Sequence, residues 1–335
     1  MIDYREEIEN SKEVKERYLD GIESLILKRQ KDAAKKRGEY AKEIFRDPER
    51  YRRDFVEMLG WPLTDRGGEP IIDPKSEKLA DYDGYSIYRM SFEILDGVMM
   101  SGLYYEHSGD DVRPLVIVQH GGRGTPEAIS GFYGSTTNYN HMLERVLVRG
   151  ADVFAPQLLL WNQETYNLQF DRIAIDSRLK RVGSSITAIE LYGIMRILDY
   201  FEAKPTVSSF GMVGLSYGGF YTLFLSAIDT RIKSAICCAF FNTRDAYPWS
   251  DWTWLRSAEL FDDPEIACLV YPRKLCLEIG NVDLTFNYAS GIESYAKLKE
   301  LCKPVGTDWL TLISFDGNHE FCNDDAPIDA LISHL

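Results

Sequence analysis

The stretch Ser208-Ser209-Phe210-Gly211-Met212-Val213-Gly214-Leu215-Ser216-Tyr217-Gly218-Gly219 decides how this chain is read. An apolar run enters Gly-x-Ser-x-Gly at residues 214–218 and gives way to a helical run, Phe220 to Ile228. A serine at such a strand-to-helix turn sits on a tight, strained bend. Glycine at 214 and 218 removes the Cβ atoms that would collide where strand and helix cross. The bend lifts Oγ of Ser216 clear of the sheet and turns the backbone N–H of Tyr217 toward whatever the serine attacks.

Elements of alternating type extend in both directions from this turn. Upstream, Tyr85 to Ile94 alternates as a strand, Asp96-Gly97 makes a hairpin turn, and Val98 to Tyr105 returns. Pro114 to Gln119 is a short apolar run of the kind buried on both faces of a parallel sheet. The pattern then predicts a helix over about 138–149, a strand over 152–156 and a helix over 184–202. Downstream it predicts strands at 234–241, 274–279 and 309–315 and helices at 288–301 and 326–335. An aromatic-rich excursion at about 242–270 interrupts them. Strand-helix alternation of this kind means an α/β fold, a mostly parallel central sheet flanked by helices. Residues 1–62 stand apart as an N-terminal helical extension to the domain at 63–335. One helix is read over 3–46, and a second starts at Asp47-Pro48 and stops at Gly60. They are too polar to form a core alone, so they should lie against the body or build a homo-oligomer interface.

The formal net charge of −14 is uneven: residues 1–60 hold 15 basic and 15 acidic side chains, so the excess belongs to the body. An acidic body argues against nucleic acid and anionic membranes as partners. The basic run from Lys28 to Arg37 reads as a solvated helix face. No apolar run reaches the ~18 residues a membrane span needs. The charged start, Met1-Ile2-Asp3-Tyr4-Arg5-Glu6-Glu7, leads us to expect a cytoplasmic protein. Cys237, Cys238, Cys268, Cys276, Cys302 and Cys322 form no Cys-x-x-Cys pair and should be buried free thiols. With no Cys/His cluster at ligand spacing, neither a metal nor another cofactor is expected.

A serine hydroxyl needs a base within hydrogen-bond reach and a carboxylate behind that base. Of the five histidines, His319 follows the last apolar strand in Phe315-Asp316-Gly317-Asn318-His319-Glu320. That placement puts it in a loop at the sheet edge that carries Ser216. Asp283, in Gly280-Asn281-Val282-Asp283 after the preceding strand, is the candidate acid, with Asp245 as the rival. His141 falls in a helical run and reads as a surface or packing histidine. The chain order Ser216, Asp283, His319 suits this architecture. His120-Gly121-Gly122-Arg123-Gly124 lies directly after the strand ending at Gln119. Its glycines let the backbone approach a developing oxyanion, so the N–H groups of Gly122 and Tyr217 are the expected oxyanion hole, with Arg123 as substitute for the first. His120 is expected to hold the loop by hydrogen bonds. Trp249, Trp252 and Trp254, with Trp161 in a second aromatic stretch from Leu158 to Phe170, are candidate substrate contacts. They could equally pack the insertion onto the body.

Together the elbow at 214–218, the His120-Gly121-Gly122 loop, Asp283 and His319 resemble the α/β-hydrolase superfamily over residues ~80–335. Three features are similar, more narrowly, to dienelactone-hydrolase-like and acetyl-xylan-esterase-like bacterial hydrolases. These are Leu59-Gly60-Trp61-Pro62-Leu63, the Asp96-Gly97 hairpin, and the helix ending in Leu198-Asp199-Tyr200. Dienelactone hydrolases proper carry a cysteine nucleophile where this chain has Ser216. The resemblance implies hydrolysis of a carboxylic ester, with deacetylation of a sugar as one form. An acylaminoacyl or prolyl-oligopeptidase-type peptidase and a non-catalytic binding protein are the alternatives.

Overall fold

The computed structural model describes residues 3–65, 73–82, 84–161 and 166–335. The chain opens with α1 (Ile8–Tyr40) and α2 (Pro48–Leu59), followed by strands β1 (Lys75–Tyr82), β2 (Tyr85–Leu95), β3 (Val98–His107) and β4 (Arg113–Gln119). Next come α3 (Pro126–Ile129), α4 (Met142–Leu147), β5 (Asp152–Pro156), α5 (Arg172–Lys180) and α6 (Ile186–Glu202). The central strand β6 (Val207–Leu215) runs into α7 (Tyr217–Ile228), then β7 (Ile232–Cys238), α8 (Ser257–Leu260) and α9 (Asp263–Cys268). The chain closes with β8 (Lys274–Gly280), α10 (Tyr288–Leu301), β9 (Leu310–Phe315) and α11 (Ala326–Ser333).

One nine-stranded sheet, in the order β1-β2-β3-β5-β4-β6-β7-β8-β9, carries everything else. Strands β1, β2 and β3 pair antiparallel, as do β3 and β5; from β5 across to β9 every pairing is parallel. The run at 115–118 is fully buried, as its unbroken apolar composition requires of a strand covered on both faces. Registers Gln119↔Gly214 and Leu215↔Cys238 bring the carboxyl ends of β4, β6 and β7 level, so their following loops share one rim.

Several expectations shift in detail. Edge strand β1 and helix α5 carry mixed polar sequences with little period, and neither was expected. The helix expected over about 138–149 is broken: Asn140 and His141 have positive φ, so only Met142–Leu147 is α-helix. His141 is therefore an exposed cap residue paired with Glu144, not a mid-helix one. The strand expected to reach 241 stops at Cys238, because Ala239 turns the chain at φ 49°. The N-terminal helix spans 8–40 and tightens into a short 3-10 turn at 41–43. Helix α2 starts as expected, with Asp47 accepting from Arg50 N and Pro48 in the first turn. It buries Tyr51, Phe55 and Leu59, and Phe55 meets Phe224 of α7 edge-on at 5.0 Å. The six cysteines are free thiols, all but Cys276 fully buried. Among the described residues no helix is long and apolar enough to cross a membrane.

Candidate active site

Ser216 has φ 61° and ψ −121°, a conformation costly for any residue with a side chain. Close packing holds it there. A Cβ on Gly214 would lie 2.3 Å from the carbonyl of Gly218, and one on Gly218 would lie 2.2 Å from the carbonyl oxygen of Gln119. Both glycines are therefore required by backbone approaching backbone. Ser216 N donates to Cys238 O at 2.9 Å, and its own carbonyl accepts from Phe220 N, starting α7.

Two loops at the same rim bring the predicted acid and base together. Nδ1 of His319 lies 2.9 Å from Oδ2 of Asp283. The other carboxylate oxygen, Oδ1, accepts from the N–H groups of Thr285 at 2.7 Å and Phe286 at 3.0 Å. With the carboxylate accepting at Nδ1, the ring proton is held there and Nε2 keeps its lone pair. The loops are clipped to each other: Asn281 N donates to Phe315 O, Val282 N to Gly317 O, and Leu284 N to Asn318 Oδ1. A Cβ on Gly280 would sit 2.4 Å from Asn318 O, so glycine lets the two loops meet. From the other side Asn138 Nδ2 donates to His319 O and Phe321 N donates to Asn138 O. Sequence reasoning missed Asn138 and Asn318, since nothing in the spacing marks a residue whose work is to pin a loop.

Cys238 links this loop to the serine turn, because its carbonyl holds Ser216 N while its thiol donates to Glu320 O at 3.3 Å. No hydrogen bond joins Ser216 to His319 among the described residues. Catalytic hydrogen bonds in unliganded sites are often long and tighten when substrate binds. The rival acid Asp245 lies elsewhere: its Oδ1 accepts from Gln30 of α1 at 3.3 Å.

The glycine loop after β4 is arranged around His120. Its Nδ1 lies 2.9 Å from Gly121 O, and its Nε2 accepts from Leu158 N at 3.2 Å. Complete burial pushes the ring down to about 4, so it is neutral with its proton on Nδ1, a structural clamp. Gly121 N is spent on Tyr139 Oη at 2.8 Å. The N–H of Gly122 makes no hydrogen bond among the described residues, and that of Tyr217 is a first-turn helix donor without an intrahelical partner. A Cβ on Gly122 would stand 3.4 Å from the Tyr217 ring, which puts the two donor residues side by side.

The four tryptophans divide. Trp161 and Trp249 flank Tyr217, at ring distances of 4.9 and 6.0 Å, and both keep some exposure. Trp252 is 4% exposed and packs between Tyr217, Phe220 and Phe240; Trp254 is 8% exposed and packs on Phe224 under Lys180. Both rings are largely buried, and both also line a cavity between the insertion, α1 and α7. Residues 162–165 of the second aromatic stretch lie outside the described residues.

A buried ionic knot beneath the rim was not anticipated. Arg172 of α5 has a fully buried side chain and donates to Asp251 at 3.0 Å, to Glu190 of α6, to Tyr221 of α7 at 2.9 Å and to Leu159 O at 2.7 Å. Burial disfavours its charge, and the Glu190 and Asp251 carboxylates more than offset this, holding it above its ordinary value. Tyr217 Oη donates to Asp251 at 3.2 Å, so the residue after the serine is tied into the same knot. Among the described residues no group of three or more His, Cys, Asp or Glu side chains could hold a metal ion.

This architecture is the α/β-hydrolase fold, and solved structures share it at low sequence identity. An inferred acetyl xylan esterase of Bacteroides fragilis superposes with a TM-score of 0.66 at 15% identity, over 82% of this chain and 76% of that one. A glucuronoyl esterase from Solibacter usitatus gives 0.57 at 13% identity, over 82% and 88%. A cold-adapted esterase from an Arctic intertidal metagenomic library gives 0.56 at 19% identity, over 79% and 100%. No family model and no curated protein sequence matches the chain. Each of these neighbours is named as an esterase.

Proposed function

We propose that the chain is a serine hydrolase that cleaves a carboxylic ester through an acyl-enzyme. Ser216 is the nucleophile, His319 the general base and then acid, and Asp283 the residue that orients the imidazole. The observation that carries this reading is the Asp283–His319 pair on loops linked through Cys238 to the turn on which Ser216 is held at positive φ.

In the first step Oγ of Ser216 attacks the ester carbonyl and its proton passes to Nε2 of His319. Negative charge collects on the carbonyl oxygen, where the N–H groups of Gly122 and Tyr217 would receive it; such donors are worth about 3–4 kcal/mol each. The C–O bond then breaks and the alcohol leaves with the proton from Nε2. Water repeats the sequence on the acyl-enzyme, losing a proton to His319 and releasing the acid and free Ser216. The fold neighbours named as acetyl xylan and glucuronoyl esterases support an ester of a sugar or small molecule. Trp161 and Trp249 would then form the rim that meets the substrate.

The test is a paired assay of wild type and Ser216→Ala on p-nitrophenyl acetate, butyrate and octanoate and on acetylated xylo-oligosaccharides. Turnover by wild type and its loss in the variant are expected. Equal rates for the two proteins would remove Ser216 from the reaction.

A further inference from the structure

The insertion at 242–270, α1 and α7 border a cavity of about 250 Å³. A protein cavity of about 150 Å³ takes up benzene, so this one has room for a ring with a short substituent. Met58, Phe224, Phe261, Trp252 and Trp254 make most of its wall apolar.

Three side chains that line the cavity carry donors the rest of the chain leaves unanswered. Nη1 and Nη2 of Arg244, Nε1 of Trp252 and Nε1 of Trp254 are buried and meet no acceptor among the described residues. Buried polar groups are normally paired, because a donor taken out of water without an acceptor loses its hydration for nothing. Four such donors around one cavity point to an acceptor that comes from outside the chain.

Arg244 is held ready for one. Its Nε donates to Asp263 Oδ1 at 2.6 Å and its backbone N to Asp262 Oδ1 at 3.1 Å. Its guanidinium carbon lies 4.6 Å from the ring centre of Phe240, 5.1 Å from that of Trp252 and 5.2 Å from that of Phe224. The ion pair and the rings fix the guanidinium plane, so the edge bearing both Nη groups is preorganised for an oxygen.

Charge decides which oxygen. Asp263 already balances Arg244, and Asp245 and Asp262 line the same cavity. Arg37, the other cation of the wall, is taken by Asp262 at 3.4 Å and Glu265 at 3.3 Å. An anionic ligand would set one more carboxylate against these where charge is poorly screened. A neutral carbonyl brings the acceptor without the charge.

We propose that this cavity is a ligand site apart from Ser216 and His319, taking a neutral carbonyl compound of about one ring in size. Its oxygen accepts from Arg244, with the two indole N–H groups alongside. Trp252 belongs to both sites: it lines the cavity and also packs on Tyr217 at 4.7 Å and on Phe286 at 5.9 Å.

The test is isothermal titration calorimetry of the full chain with acetophenone, ethylbenzene and benzoate, three molecules of similar size. Acetophenone should bind at one site. Ethylbenzene, which lacks the acceptor, and benzoate, which carries a charge, should each bind about tenfold or more weakly. Arg244→Lys keeps a cation beside Asp263 but removes the two Nη donors, and should weaken acetophenone by about tenfold or more. Ala258→Leu, which puts a larger side chain on the cavity wall, should abolish acetophenone binding while leaving the thermal midpoint near that of wild type. Ethylbenzene binding as tightly as acetophenone would mean that the surrounding rings already satisfy the donors. That result, benzoate binding most tightly, acetophenone binding that survives Ala258→Leu, or no acetophenone binding would each overturn the proposal.

Discussion

In the proposed mechanism Asp283 works through His319, and its substitution separates chemistry from folding. Asp283→Asn keeps the shape but donates an N–H toward Nδ1, favouring the tautomer with the proton on Nε2. We expect kcat to fall about 10⁴-fold, by analogy with the equivalent change in serine proteases, with KM little altered. A loss below tenfold in steady-state assays would contradict the role. Glu278 of β8, 1% exposed, shows a different use of a carboxyl. Burial pushes it up to about 7, against the opposing pull of the Cys238 thiol and the Cys322 backbone. The folded state therefore holds a proton that the unfolded chain releases near 4.5. Its stabilising contribution is complete below that value and lost as pH rises through 7. Asp263 and Glu265, raised to about 6 and 7 by burial, push the same way. Thermal unfolding of Glu278→Gln should accordingly lose less between pH 5 and pH 8 than wild type does. Parallel curves for the two proteins would mean the buried carboxyl does not titrate with folding.

At the scale of elements, the insertion between β7 and β8 ties several helices together. Its Asp251 joins α5, α6 and α7 through Arg172 and Tyr217, so the helix that starts at the serine is fixed from above. Removing Asp251 leaves Arg172 buried and short of an anion, which typically costs about 3–5 kcal/mol. Asp251→Ala should show that loss in urea unfolding and a lowered kcat in whatever remains folded; an unchanged midpoint would mean the knot contributes nothing. The same insertion marks where the sequence stops being legible. Ser216, Asp283, His319 and His120 could be placed from the chain because each follows an apolar strand, and strand ends in a parallel sheet share one edge. Strand β1 and α5 lack that periodicity, and the Arg172 knot joins residues from 79 positions apart, a pairing that no local pattern encodes. The tryptophans were ambiguous because an indole reads alike whether it packs or binds. Burial of Trp252 and Trp254 against the α7 aromatics gives those two a packing role.

Across the whole molecule the two N-terminal helices serve different ends. Helix α2 belongs to the core, with Phe55 wedged against Phe224 and Phe261 and with Arg52 donating to Ala227 O and Leu269 O. Every residue of α1 from Ile8 to Arg29 is exposed. Deleting residues 1–28 should leave the thermal midpoint and ester turnover unchanged, whereas deleting 1–62 uncovers the α7 aromatics and should yield insoluble protein. Equal behaviour of the two truncations would contradict this division. The central claim concerns Ser216, and one measurement meets it most directly. Wild type would be treated with a fluorophosphonate, weighed intact and digested for peptide mapping, with His319→Ala treated in parallel. A single adduct on the peptide carrying Ser216, formed at least a hundredfold more slowly without His319, is the predicted result. An adduct on another residue, or none on an active wild-type protein, would contradict it.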